Sequence, residues 1–418
     1  MVSINKTITG GALAAFTLTG LVLGAGAWQN PPGGAASQTA TVKLDAKRTL
    51  GKPQVFRNLT VIPVYDKTAR STDSYVTLDE GLKLKEVSVK ESKSGGDVNT
   101  LYVTNESRKA LYLMGGEVVL GGQQDRTLGR DTIVPPGKKD VPITVFCVEH
   151  GRWTGHREFD QSAPTVASAE IRGRAQNGEF FAARQAAGLS SSSSLGAGHA
   201  ESSASGNISQ SARTNRIAAG SQAAGNRAQR SASANPVGEA QQQVWDKVAE
   251  KNAKLKTESS TGSYRHALTL ESGDAQKSVP SFLTALSSSL GTDPHLIGVV
   301  AAINGKVVAA DIFSDPALFR KFWPKLLRSY ASDAVEHTPE SGKAISAVTA
   351  SHAKDFLVTA TDAKSKIENK SDISSTVRYE SSQAVTYSLV PNAKPGAPAG
   401  GFGGAFGGGA VHTGVLGK

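Results

Sequence analysis

Cysteine occurs once in these 418 residues, at Cys147, so no intramolecular disulfide holds the chain and its stability rests on a packed core. Other chemistry-bearing patterns are also missing. The eight histidines are scattered without an H-E-x-x-H, and there is no C-x-x-C, so no metal is expected. There is no phosphate-loop motif and no G-x-S-x-G elbow. The glycine-rich run from Gly400 to Gly409 has no helix behind it to make a phosphate cradle, so no cofactor is expected. Beyond residue 27 no apolar run is long enough to cross a membrane. The net charge of +10 is spread along the chain with no dense Lys/Arg block. That argues for solubility and against specific nucleic-acid binding.

What is present begins with the first 27 residues. Met1–Lys6 is a short stretch with one lysine, Ile8–Val22 is apolar or small and uncharged, and Leu23-Gly24-Ala25-Gly26-Ala27 supplies small residues for signal peptidase. The pattern predicts export with cleavage after Ala27. The absence of a nearby cysteine excludes a lipoprotein. Left uncut, the uncharged run Thr7–Ala27 is just long enough to anchor the chain. Residues 28–47 read as a flexible tether.

Residues 48–390 read as one α+β domain whose N-terminal half is mostly β, sandwich-like or barrel-like. Short strands are expected at Val61–Tyr65, Tyr75–Leu78, Asn99–Thr104, Leu111–Met114, Glu117–Leu120, Thr132–Val134 and Val141–Val148. Leu82–Val89 alternates apolar and charged residues and reads as a half-exposed strand. Ala167–Gln185 has helical spacing. Residues 188–235 are Ser, Ala, Gly, Gln and Asn with hardly a large apolar side chain, and read as a disordered insert. Its arginines suit an anionic envelope polymer as partner. Helical periodicity returns at Val237–Leu255 and at Val279–Leu290, where Pro280 would open the helix.

The strongest local pattern is Leu296–Ile303, Asn304-Gly305, Lys306–Phe313, a β-hairpin with a two-residue type I′ turn. A helix capped by Ser314 or Asp315 and bending near Pro324 should follow. Lys354–Thr359 and Val377–Leu389 are regular but ambiguous in type. Residues 391–418 read as a loose glycine-rich tail.

The densest polar cluster pairs Gly121-Gly122-Gln123-Gln124-Asp125-Arg126 with Cys147-Val148-Glu149-His150-Gly151-Arg152. Glycine pairs let backbone approach a ligand, and two arginines can grip an anion bidentately. Glu117, Gln123, Gln124, Arg126, Glu149 and Arg152 are therefore the candidate ligand-binding residues. The competing reading is a turn held by ion pairs of Arg126 with Glu117, Asp125 or Glu149. Asp125, Cys147 and Glu149 are the candidates for catalysis. On a strand, however, His150 would point away from Cys147, which then reads as a small buried hydrophobe. The resulting functional expectation is an extracytoplasmic domain binding a polar or anionic ligand. The alternatives are a hydrolase acting on a nucleotide-like or ester substrate and an envelope scaffold.

The chain resembles the ARG and rhodanese-phosphatase-superfamily-associated protein domain family. The residues that carry the resemblance are Leu113–Glu117, Gly121–Arg126, Val134–Pro136, Val141–Ile143, Cys147–Trp153, Val244–Lys251 and Gly298–Leu327. The resemblance crosses the insert and so implies a single interrupted domain; it implies neither substrate nor mechanism. Fused ahead of a reporter active only after export, such as an alkaline phosphatase, residues 1–47 are expected to give activity. An inactive fusion would remove the export reading.

Overall fold

The structure, a computed structural model, describes residues 44, 47–92, 98–152, 157–186, 236–339, 345–361, 365–371, 373–392 and 409–418. The expected signal, the insert 188–235, Gly95-Gly96 and Trp153 lie outside them. The N-terminal half is mostly β: β1 (Arg48–Leu50), β2 (Gln54–Phe56), β3 (Leu59–Asp66), β4 (Tyr75–Thr77), α1 (Leu78–Lys83), β5 (Val87–Glu91), β6 (Thr100–Asn105), β7 (Ala110–Leu113), β8 (Val118–Leu120), β9 (Arg126–Leu128), β10 (Thr132–Val134), β11 (Val141–Cys147) and β12 (Gln161–Ser162). Helices α2 (Ala169–Ala186), α3 (Pro236–Leu255), α4 (Arg265–Thr269) and α5 (Gly273–Leu286) follow. The hairpin β13 (Leu296–Ile303) and β14 (Lys306–Phe313) leads into α6 (Pro316–Glu336) and α7 (Ala350–Thr361). The chain closes with β15 (Ser365–Lys370), β16 (Ser374–Glu380), β17 (Ala384–Pro391) and β18 (His412–Gly417). This is the expected α+β body, and Thr39–Lys418 forms one compact unit.

A continuous apolar run suits a strand covered on both faces. β13 is that strand. Leu296, Val299, Ala301 and Ile303 face the main core, with Phe282, Phe319 and Leu326, whereas Ile297, Val300 and Ala302 face α7 through Phe356 and Leu357. The order β1-β3-β13-β14-β18-β17-β16-β15, with β2 added on β3, makes a nine-stranded sheet. Smaller sheets, β10-β7-β4 and β12-β8-β9-β11-β6-β5, complete the N-terminal half. The Asn304-Gly305 turn has φ of 52° and 80°, the two positive values a type I′ turn demands. Asp315 caps α6, accepting from the Ala317 amide at 2.7 Å. At the other end, the amides of Asn58 and Asn304 donate to the Ala334 and His337 carbonyls.

Three expectations are corrected. Leu82–Glu86 is not strand: Thr77 and Glu80 form a reciprocal capping box that starts α1, and only Val87 onward is extended. Pro280 lies inside α5 rather than at its start. The end of the chain is not all loose: His412–Gly417 is an interior strand, hydrogen-bonded antiparallel to β14 and β17.

One side-chain amide joins the two sides of the insert at Cys147. Gln241 of α3 accepts from the Cys147 amide at 2.8 Å and donates to the Cys147 carbonyl at 2.9 Å, as a neighbouring strand residue would. Gln241→Leu would leave both backbone groups buried and unpaired. A loss of about 1–3 kcal/mol is expected in urea unfolding; an unchanged midpoint would show that this docking contributes nothing.

Candidate functional site

The β8–β9 connection turns on Gly121 and Gly122, both at positive φ. It closes on itself, because the Gly121 amide donates to Asp125 Oδ1 at 2.9 Å. Asp125 is fully buried and receives Arg265 Nε at 3.0 Å and Nη2 at 2.7 Å, a bidentate pair. Arg152 donates to Glu149 Oε2 at 2.8 Å and to the Gly122 carbonyl at 3.0 Å. The second Glu149 oxygen accepts from Thr261 at 2.8 Å. Arg126 donates to the carbonyls of Gln124 at 2.7 Å and Val98 at 3.2 Å, and lies 3.6 Å from Glu91.

Five of the six sequence-predicted binding residues therefore converge on one knot: Gln123, Gln124, Arg126, Glu149 and Arg152. The charged groups of Arg126, Glu149 and Arg152 are engaged, whereas Gln124 Nε2 is buried without a hydrogen-bond partner. Of the five, only Gln123 is exposed, and the cavity between it, Arg126 and Glu91 is about 30 Å³. That is room for about one water. Glu117 lies apart. Its carboxylate accepts from the Met114 amide and from Lys325 Nζ at 2.8 Å, and Lys325 also reaches Asp79 and Ser162. A lysine held by two carboxylates keeps its proton, so it cannot activate Ser162 as a base.

Both oxygens of Asp125 and of Glu149 are occupied, which leaves neither poised over open space. Burial pushes the Cys147 thiol up to about 11, away from the reactive thiolate. His150 packs edge-on against Trp245, ring centres 4.6 Å apart, rather than on Cys147.

Sequence reasoning missed two features. The first is a cluster in the core. Arg172 of α2 forms a bidentate pair with Asp311 of β14 at 2.9 and 3.1 Å, and the Tyr330 hydroxyl of α6 donates to the same carboxylate. His412 of β18 lies 2.6 Å from Asp131 through Nδ1 and 3.2 Å from Asp311 through Nε2. With a carboxylate at each nitrogen, the ring is satisfied only as imidazolium, since a neutral ring has one donor. Burial alone would drive the proton off; Asp131 and Asp311 outweigh it and raise His412 to about 9. Burial likewise opposes charge on Asp311, yet Arg172 and His412 hold it well below the usual carboxylate range. No sequence spacing links residues 131, 172, 311, 330 and 412.

The second feature is a pocket of about 420 Å³, within the size range of small-molecule sites. Its walls are Ser168–Glu170 at the start of α2, Lys247 and Lys251 of α3, the hairpin residues Ile303–Asn304 and Lys306–Val308, the end of α6, and Gly417–Lys418. On its floor the buried Lys251 ammonium bridges Asp333 at 2.7 Å and Glu336 at 2.6 Å. Burial raises Asp333 in spite of Lys251, whereas for Glu336 the attraction of Lys251 wins and the carboxyl is lowered. Among the described residues no group of three or more His, Cys, Asp or Glu is placed to hold a metal. Nor is any helix there long and apolar enough to cross a membrane.

Within the knot around Asp125, buried and exposed positions differ in what a substitution should do. Arg265→Leu removes the bidentate partner of the buried Asp125, leaving Arg152 at 3.6 Å as its nearest cation, and is expected to cost about 3–5 kcal/mol in chemical denaturation. Gln123→Ala, on the exposed rim, should stay within about 0.5 kcal/mol. Equal small losses would show that the knot is not structural.

Comparison with known proteins places the chain. No curated protein and no solved structure matches it. The profile of the domain described as ARG and Rhodanese-Phosphatase-superfamily-associated Protein matches residues 47–194 and 197–396, most of the chain and both sides of the insert. The chain belongs to the ARG and Rhodanese-Phosphatase-superfamily-associated Protein domain family.

Proposed function

We propose that the domain is a binding module for a small organic anion, that the anion occupies the 420 Å³ pocket, and that the module works outside the cytoplasm. The last element rests on the signal-like first 27 residues. The observation that carries the ligand reading is Lys306, a lysine on the pocket wall that meets no side-chain carboxylate among the described residues. Each carboxylate lining the pocket already has an ammonium partner: Glu170 has Lys247, and Asp333 and Glu336 share Lys251. Lys418 is taken by Glu380. Lys306 donates to the main-chain oxygen of Lys418. Asp333 and Glu336 share one ammonium, so the lining with its partners is close to neutral, and Lys306 is the wall cation that an anion would meet.

The start of an 18-residue helix adds to it, because Ser168–Glu170 bring the positive end of α2 to the wall. Ile303, Val307 and Val308 offer an apolar surface to the rest of the molecule. The anion expected from the sequence is thereby assigned to a different place from Arg126 and Arg152, whose guanidiniums are already engaged.

The test is a thermal-shift screen of aliphatic and aromatic carboxylates, phosphomonoesters and sulfonates, followed by titration of any hit. Lys306→Ala is expected to weaken a hit by about 10- to 30-fold, the worth of one charge-assisted hydrogen bond. The melting of the unliganded protein should hardly move. An unaltered affinity in Lys306→Ala, or a screen in which no anion raises Tm, would sink the reading.

A further inference from the structure

The charged cluster around His412 and the pocket share their scaffold. Arg172 lies on α2, one turn past the wall residues Ser168–Glu170, and its amide donates to the Ser168 carbonyl at 2.9 Å. Asp311 lies on β14, whose first residues Lys306–Val308 form another wall. Tyr330 lies on α6, one turn before Asp333. His412 opens β18, whose end, Gly417, together with the following Lys418 completes the enclosure and holds Lys306 through the Lys418 main-chain oxygen. Four of the six elements that line the pocket, α2, β14, α6 and β18, are thus tied together by one buried knot.

We infer that this knot is a proton-operated control on the pocket: with His412 protonated, β18 is seated and the walls are aligned, and loss of that proton unseats the strand and opens the site. The regulation rests on the pocket reading above, but the seating of β18 does not need a ligand to be observed.

The charges balance only in one protonation state. Imidazolium and Arg172 offset Asp131 and Asp311, and these are the charged side chains that meet the ring or its carboxylates. Tyr330 faces it through Asp311, and Tyr112 of β7 lies edge-on at 6.3 Å, with Phe313 stacked at 4.4 Å. Burial and the neighbouring carboxylates push both tyrosines well above their ordinary range, so neither ionises before the histidine does. Neutral His412 would leave the Asp131–Asp311–Arg172 set with an excess negative charge in the core, and one ring nitrogen would turn a lone pair on a carboxylate.

The sign follows from linkage. The proton is held more tightly in the seated strand, at about 9, than in a free imidazole at 6.5. The seated state keeps its full advantage below the lower value and loses it as pH rises through the higher one. β18 is suited to respond, being six residues long with two glycines, Gly414 and Gly417.

Hydrogen–deuterium exchange of the full chain without ligand, corrected for intrinsic rates, tests this between about pH 7 and about pH 9.5. The opening constant for the amides of 412–417 is expected to rise about tenfold per pH unit up to about 9 and then level off. The amides of 169–172 and 306–308 should open in step, while those of β3 stay protected. His412→Gln should show the open level already at neutral pH, with no further pH dependence. If that variant does not fold, the wild-type series decides alone.

Protection of 412–417 that holds to about pH 9.5 would overturn the proposal. So would opening of β18 without the pocket amides, or a His412→Gln profile identical to that of the wild type. A ligand screen without hits would sink the pocket reading while leaving these exchange results standing.

Discussion

Everything in this domain is arranged around a histidine that must stay charged in the core. His412 bridges Asp131 and Asp311, and Asp311 in turn binds Arg172 and Tyr330. These residues come from five places in the chain: the β9–β10 connection, α2, β14, α6 and β18. Removing one partner from such a set leaves an uncompensated charge in low dielectric, which is far costlier than the set as a whole is favourable. The knot therefore specifies how the elements meet more than it adds to stability. It also explains why a short glycine-containing segment can occupy an interior place in a nine-stranded sheet.

Legibility in the sequence tracked how local the cause was. The β13–β14 hairpin, α2, α3 and the Asp315 cap were readable because each is decided within a few residues, by periodicity, a turn dipeptide or a capping side chain. The capping box of α1 is also local. It was missed because Leu82–Val89 alternates convincingly, and a capping pair three residues apart overrode that alternation. β18 was missed for a different reason. Its burial comes from His412 meeting residues more than a hundred positions away in sequence. Within His412–Gly417 nothing distinguishes a buried strand from a loose end.

The candidate site shows a similar split. The sequence brought Gln123–Arg126 and Glu149–Arg152 together, and they do meet. What spacing cannot reveal is stoichiometry: Arg265 and Thr261, unremarked in the sequence, supply the partners that use up Asp125 and Glu149. Clusters of arginine and carboxylate beside glycine turns are as much the signature of a locked loop as of an open site. The pocket is the converse case. Its walls come from six elements far apart in the sequence, brought together only by the tertiary fold.

The place of β18 has a consequence for the order in which the fold can be assembled. β14 and β17 are separated in the sheet by a strand synthesised after both. Until residues 412–417 have emerged, each of them presents a free row of backbone donors and acceptors, and Asp311 faces Arg172 without its histidine. The nascent chain thus passes through a stage with two open sheet edges in its middle, the kind of surface that invites wrong pairing. For the export proposed above that delay is an advantage: as long as the central sheet is unfinished, the chain stays loose enough to be threaded.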